Sequence, residues 1–225
     1  IYSVAESAYR DLHRKNQAIL VSGESGSGKT ENTKFILKYL SRNYGLDDTI
    51  SNGIIKCNHL IECFGNAKTI KNNNSSRFGK FIKLFTNSDD RIIGANIENY
   101  LLEKSRITAY NNLEKSYHIF YFYRSNLLQK YNFSDTYKLI SITDDIEIDE
   151  FSSPKLLLEI LDEFDFNESE KDKIFYTIKL ILELSNVYSK DSMIEILDKL
   201  SNDFEYLGIT EDELLHKFTK KVFII

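Results

Sequence analysis

Eight consecutive residues, Gly23-Glu24-Ser25-Gly26-Ser27-Gly28-Lys29-Thr30, constrain this chain more than any other stretch. They fill every position of the pattern G-x-x-x-x-G-K-[ST]. An apolar run, Ala18-Ile19-Leu20-Val21, precedes them, and a helical pattern runs from Glu31 to Asn43. Strand, glycine-rich loop and helix is the setting in which this pattern cradles a phosphate. Each part has its own physical reason. The glycines let the backbone bend until successive N–H groups point into one hollow. The helix N-terminus adds the positive end of its dipole. Lys29 brings a full positive charge to the β- and γ-phosphates of a nucleotide, and the Thr30 hydroxyl is a hard oxygen ligand suited to Mg²⁺. The apolar run does not alternate, which predicts a parallel strand over 17–22, buried on both faces.

The chain has 225 residues, room for one large domain or two small ones. Hydrophobic residues at 42% and charged residues at 28% make it globular rather than disordered. A net charge of −5 argues against nucleic acid as its main partner. Cys57 and Cys63 supply neither a disulfide framework nor a zinc spacing. No transmembrane segment is expected, since no apolar run approaches a membrane span, and no signal-peptide pattern is visible. These features predict a cytoplasmic protein. The chain begins in near-helical periodicity at Ile1 and stops on Val222-Phe223-Ile224-Ile225, so the expected fold is incomplete at both ends.

Residues 3 to 15 read as a helix, with Ala5, Ala8 and Leu12 on one face and Arg10, Asp11, Arg14 and Lys15 on the other. In the helix after the loop, Phe35, Ile36, Tyr39 and Leu40 point inward. Asn43 to Asn52 reads as an exposed loop. Ile50, Ile54, Cys57, Ile61 and Phe64 form an amphipathic stripe, predicting a helix over 51–64 that Gly65 ends. His59 lies off that stripe and reads as an ordinary helix residue. Asn66 to Gly79 is polar and reads as a loop. Strands are predicted over 80–85 and 91–101, with Ile93, Ala95, Ile97 and Leu101 on one face and a turn at Asn87-Ser88-Asp89-Asp90.

From Leu113 the pattern is mainly helical. A helix over 114–130 carries Tyr117-His118-Ile119-Phe120-Tyr121-Phe122-Tyr123, which reads as core packing because its surroundings are not basic enough for base stacking. The acidic residues Asp144 to Glu150 match no calcium-loop spacing and read as a solvated stretch. Ser153-Pro154, Asn167 with Glu170, Asp191, and Thr210 with Glu213 open further helices. Their inward positions are Ile174, Ile178, Ile181 and Leu182, then Ile194, Leu197 and Leu200, then Leu214, Leu215 and Phe218.

A phosphate loop alone says only that a nucleotide binds. A nucleoside triphosphatase also needs an element that senses the γ-phosphate and completes the Mg²⁺ shell. Asn72-Asn73-Asn74-Ser75-Ser76-Arg77 offers small hydroxyls for metal and water, an amide for phosphate oxygens, and an arginine to lock the segment shut. Taken together, Gly23 to Lys34, Phe64-Gly65-Asn66-Ala67-Lys68-Thr69, Asn72 to Lys80, Leu101-Leu102-Glu103-Lys104-Ser105-Arg106 and Tyr117 to Tyr121 resemble the myosin motor domain in content, order and spacing. The resemblance is strong to about Tyr123 and weaker through the helical remainder.

The resemblance implies an α/β fold: a P-loop NTPase-type mixed sheet flanked by helices, followed by a mainly helical subdomain. It implies a nucleotide core with transducer strands over 1–106 and part of the upper actin-binding subdomain over 107–225. Gly23, Glu24, Ser25, Gly26, Ser27, Gly28, Lys29, Thr30 and Glu31 would then bind ATP, with Thr30 and Ser76 on Mg²⁺. Residues 72–80 would be switch I. Asn72 would contact the phosphates, Ser75 the attacking water, and Arg77 a glutamate of switch II; Lys29, Ser75, Ser76 and Arg77 would carry the catalysis. The implied function is an actin-based, ATP-hydrolysing motor of the cytoplasmic actin cytoskeleton, and light chains would bind outside these residues. His59, Cys63, Ser27 and Glu114-Lys115-Ser116 depart from the family pattern, but none removes a phosphate or metal ligand. No Asp-x-x-Gly-Phe-Glu switch II occurs, so Arg77 is expected to lack its partner and the chain taken alone to turn over little ATP. The alternative is therefore a truncated, non-catalytic piece that binds nucleotide weakly or not at all. A kinesin-like motor shares the Asn-x-x-Ser-Ser-Arg switch but continues Ser-His where Phe78-Gly79-Lys80 stands here.

Overall fold

The computed structural model describes residues 1–45, 48–108, 111, 113–140 and 153–214. The chain divides into two compact units, Ile1–Lys104 with Asn111–His118, and Ser105–Tyr110 with Ile119–Ile225.

In the first unit, α1 (Tyr2–Arg10) buries Ala5 but stops short of residue 15. The Gln17 amide donates to the carbonyls of Asp11 and Lys15, at 3.3 and 3.1 Å, and so satisfies the released helix end. Helix α2 (Lys29–Tyr44) starts directly at Gly28 and buries Ile36, Leu37, Leu40 and Ser41. Phe35, expected inside, is 46% exposed; Leu37 takes its place. The buried Ser41 hydroxyl donates to Leu37 O at 2.7 Å, which is why a polar residue is tolerated there. Helix α3 (Asp48–Gly65) begins before residue 51. It shortens the expected loop, of which Leu46 and Asp47 lie outside the described residues. Of the apolar stripe only Ile54 is fully buried; it is joined by Asn58 and Glu62 at i, i+4 spacing and by Cys63, while Ile50, Cys57, Ile61 and Phe64 are half-buried. Gly65 is required by packing, because a Cβ there would lie 2.4 Å from the Phe78 ring.

Residues 66–79 form a hairpin rather than a loop. Strand β1 (Asn66–Thr69) pairs antiparallel with β2 (Asn72–Ser76), Asn66 opposite Ser76 and Ala67 opposite Ser75. Polar side chains bury here by hydrogen bonding, so the apolar alternation that announces a strand is missing. Strands β3 (Gly79–Thr86) and β4 (Ile92–Tyr100) form the expected antiparallel pair. Asn87 Oδ1 accepts from the backbone of Asp89 and Arg91 in the turn. The inward face differs from expectation: Ile92 is buried, while Ile93 and Leu101 are 48% and 85% exposed. Phe85 pairs with Gly94 and Thr86 with Ile92, so Ile93 is the extra residue of a bulge, and the face flips there.

Gln17–Ser22 forms no strand. Gln17, Ile19 and Val21 are half-buried while Ala18, Leu20 and Ser22 are exposed, Leu20 at 90%. Ile19 and Val21 lean on a core of Ala5, Ile36, Leu40 and Ile92. The four described strands form ladders only within their own two-stranded antiparallel sheets, with isolated bridges from Ile92 to Gly45 and from Ala67 to Tyr117, and none of these pairings involves Gln17–Ser22.

The expected helix over 114–130 is replaced by two 3-10 segments, His118–Arg124 and Asn126–Tyr131, which belong to the second unit from Ile119 onward. Ser125 separates them and caps the second. Ile119 to Tyr123 are all buried, in keeping with core packing. Five consecutive buried side chains point in every direction, which a one-faced helix cannot serve. Helix α4 (Pro154–Glu163) is capped by Ser153, and α5 (Glu168–Leu184) opens on the Asn167–Glu170 capping box, as read. Helix α6 (Lys190–Leu200) is capped by Ser189 and Ser192 instead of Asp191. It buries Met193, Ile196, Leu197 and Leu200 and leaves Ile194 43% exposed. A short α7 (Phe204–Leu207) precedes the Thr210–Glu213 box, which forms with bonds of 2.9 and 3.2 Å. The readings at residues 144–150, Leu215, Phe218 and 222–225 lie outside the described residues. No described helix is long and apolar enough to cross a membrane.

Candidate functional site

The glycine-rich loop is exposed from Gly23 to Gly28. Gly26 and Gly28 take φ values of +81° and +80°, a left-handed backbone that glycine adopts without strain. Gly28 ends the loop as the N-cap of α2, which sets Lys29, Thr30 and Glu31 in the first helical turn. Lys29 curls back over the loop and donates to the carbonyls of Gly23 and Glu24, at 2.7 and 2.6 Å. Its ammonium is thus held by the loop's own carbonyls.

The β1–β2 hairpin faces this loop. Ser25 Oγ and Ser75 Oγ are 3.4 Å apart, and Thr30 Oγ1 and Ser76 Oγ are 3.5 Å apart. The Lys71 carbonyl lies 3.7 Å from where a Cβ on Gly26 would stand, an ordinary contact distance, so the hairpin turn reaches the loop and Gly26 is needed for its backbone φ rather than for space. Asn72 is on the same strand, but its Oδ1 is engaged by the Asn74 backbone N–H at 2.9 Å. Asn74 Oδ1 in turn meets Asn66 Nδ2 and His118 Nε2, at 2.8 and 3.1 Å. The structure therefore brings Ser25, Thr30, Ser75 and Ser76 together, with Lys29 over the loop. Asn72 is held at the far end of β2, where it completes the hairpin.

Two oxygens bound to one Mg²⁺ at about 2.0–2.1 Å lie about 2.9 Å apart when adjacent and about 4.1 Å when opposite. The Thr30–Ser76 separation of 3.5 Å is about 0.6 Å wider than the adjacent spacing, so the two hydroxyls would have to close by about that much to share one magnesium ion as neighbouring ligands.

Arg77 pairs within the chain, with a residue other than the switch II glutamate that the resemblance implies. Its Nε donates to Glu103 Oε2 at 2.6 Å, and its Nη1 reaches Ser75 Oγ at 3.4 Å. The backbone repeats the link, with Glu103 N donating to Arg77 O and Arg77 N to Gly65 O, both at 2.9 Å. Glu103 stands in the Leu101–Arg106 block, whose resemblance was visible but whose role was not. Below the loop, Glu62 is buried between Lys34 and Lys80. Burial pushes the Lys80 ammonium below its ordinary pKa, and Glu62 partly restores it.

The model of the myosin head (motor domain) matches residues 1–224. The chain belongs to the myosin head family. Relatives agree along its length. This myosin head sequence is 39% identical to a probable myosin heavy chain of Encephalitozoon cuniculi (strain GB-M1), over 99% of the chain and 14% of the relative. It is 41% identical to the non-muscle myosin-2 heavy chain of Acanthamoeba castellanii, over 83% of the chain and 13% of the relative. It is 50% identical to human unconventional myosin-VI, over 54% of the chain and 10% of the relative. The myosin head sequence in hand thus spans about a tenth to a seventh of the length of these relatives.

Proposed function

We propose that this chain is the ATP-binding and switch-bearing part of an actin-based motor that hydrolyses Mg-ATP. The observation that carries the reading is the meeting of the Gly23–Thr30 loop with the β1–β2 hairpin, with hydroxyl pairs 3.4 and 3.5 Å apart. In this reading the loop N–H groups and Lys29 bind the phosphates, and Lys29 exchanges the carbonyls of Gly23 and Glu24 for phosphate oxygens. Thr30 and Ser76 hold Mg²⁺, which when bound neutralises charge on the β- and γ-phosphates. Ser75 orients the attacking water, Arg77 keeps the hairpin closed on the loop, and Asn72 turns toward the phosphates. The protein's contribution is positioning and charge stabilisation rather than covalent chemistry.

The finer fold belongs to the same proposal. Gln17–Ser22 carries period-two burial with one face uncovered, the signature of a strand covered on one side only. In the whole motor it becomes the parallel strand of a mixed sheet. Actin filaments are the proposed partner, and the actin cytoskeleton the proposed location.

The test uses the native protein that carries this chain. ATP should bind in a Mg²⁺-dependent way, and Lys29→Ala should weaken binding at least tenfold without lowering thermal stability, because the Lys29 side chain touches only the exposed loop. The protein should sediment with actin filaments and be released by ATP. Sedimentation indifferent to ATP, or unaltered nucleotide affinity in the variant, would overturn the proposal.

A further inference from the structure

Glu62 is a carboxylate that the proposed chemistry does not use, and it is 1% exposed. Lys34 Nζ lies 3.3 Å from its Oε2 and Lys80 Nζ 4.0 Å from its Oε1. Lys80 also donates to Asn58 Oδ1 at 2.8 Å, one helical turn before Glu62 on α3. Lys34 reaches outward to Glu31 at 3.2 Å. Glu62 Oε1 has no hydrogen-bond partner among the described residues.

Burying charges in this way is a poor route to stability. Well-packed apolar residues of similar volume usually serve as well or better. The arrangement makes sense by what it joins. Lys34 stands four residues after Thr30 on α2, one turn along the same helical face. Lys80 stands four residues after Ser76, at the start of β3. The elements that carry the two hydroxyls are therefore both tied, at equal distance along the chain, to one side chain of α3.

We infer that Glu62 is a positioning residue for the metal-binding pair: through Lys34 and Lys80 it fixes α2 against the β2–β3 junction and so keeps the Thr30 and Ser76 hydroxyls within reach of one ion. The inference rests on the Mg-nucleotide reading above. Glu62 touches neither nucleotide nor metal. Its removal should loosen the spacing of the two hydroxyls and leave the loop N–H groups and Lys29 as they are.

The experiment measures binding of N-methylanthraniloyl-labelled ADP to the native protein, once with excess Mg²⁺ and once with excess EDTA. The ratio of the two affinities is the gain due to the metal. Glu62→Gln should cut that gain about tenfold, the scale for losing a group that orients metal ligands, while affinity in EDTA stays near wild type. Glu62→Asp should recover part of it. Glu62→Gln with Lys80→Met removes the facing charges together and guards against a single variant that does not fold; it should show the same loss. A merely structural role would lower the melting temperature and leave the Mg²⁺ gain intact, which would overturn the inference. A wild-type protein that binds the labelled ADP with no Mg²⁺ gain would overturn the metal reading itself, and the clamp with it.

Discussion

Gly65→Ala isolates one contact, between the end of α3 and Phe78, next to the hairpin that faces the phosphate loop. A methyl group at this position would lie 2.4 Å from both Phe78 Cδ1 and Cε1, and 3.3 Å from Cζ. Carbon atoms rest at about 3.5–4.0 Å, so the ring must retreat by about 1.1–1.6 Å. The ring cannot retreat alone. Phe78 follows Arg77, whose N–H donates to the Gly65 carbonyl at 2.9 Å, and precedes Gly79. A Cβ on Gly79 would itself meet the Tyr100 ring at 2.3 Å, so the backbone on that side is hemmed in as well. Inserting a methylene-sized group against such neighbours costs about 1–3 kcal/mol. The alanine's lower unfolded-state entropy returns about 0.4–1 kcal/mol of this. A net loss of about 1–2 kcal/mol is expected from thermal or urea unfolding of the native protein. Phe78→Ala removes the obstacle. In the double variant the alanine should be neutral or better relative to Phe78→Ala alone, a coupling of about 1 kcal/mol or more in the mutant cycle. Equal effects of Gly65→Ala with and without the Phe78 ring would refute the reasoning.

Glu6 accepts hydrogen bonds from Tyr44 and Tyr39 and faces Arg10, and the Tyr44 bond is the main cause that holds its carboxyl below the ordinary carboxylate value. A depressed carboxylate contributes stability above the unfolded pKa and loses it as pH falls through the folded one; thermal unfolding at pH 7 and in the acid range should show a drop that is smaller in Glu6→Gln, while Glu168, held low by Lys171 and Lys130, still contributes to it. Burial pushes the Cys63 thiol up to about 12, whereas Cys57 is raised less and is only half-buried. Iodoacetamide at mildly alkaline pH should therefore label Cys57 first, with Cys63 reacting only on unfolding; mass spectrometry of timed samples decides between them.

Much of the candidate site was legible because it is local in sequence. The loop needs eight consecutive residues, and the turn at Asn87 and the caps at Ser153, Asn167 and Thr210 each need only a few. What escaped was set by distant partners. Asn58 and Glu62 are polar and buried because Lys80 and Lys34 come to them, which a hydrophobic stripe cannot reveal. The β1–β2 hairpin carries almost no apolar alternation, since Asn66 buries while donating to the half-buried Asn74. The bulge at Ile93 moved an inward face by one residue, a change that no periodicity records. Glu103 lay in a block that matched the family, yet only the fold showed that it holds Arg77.

The division of the chain bears on how it is made. The first unit is not finished when its opening run of residues, Ile1–Lys104, has been synthesised, for Asn111–His118 also belongs to it and follows only after Ser105–Tyr110, which belongs to the other unit. That returning stretch supplies Tyr117, bridged to Ala67, Lys115 N donating to Lys68 O, and His118 against Asn74. At about 5–20 residues per second, the ribosome adds the stretch from Ser105 to the end of the returning segment at His118 in roughly one to three seconds. During that interval the outer edge of β1 is open, and a nascent chain stalled there would present an unpaired strand beside a phosphate loop already complete in sequence.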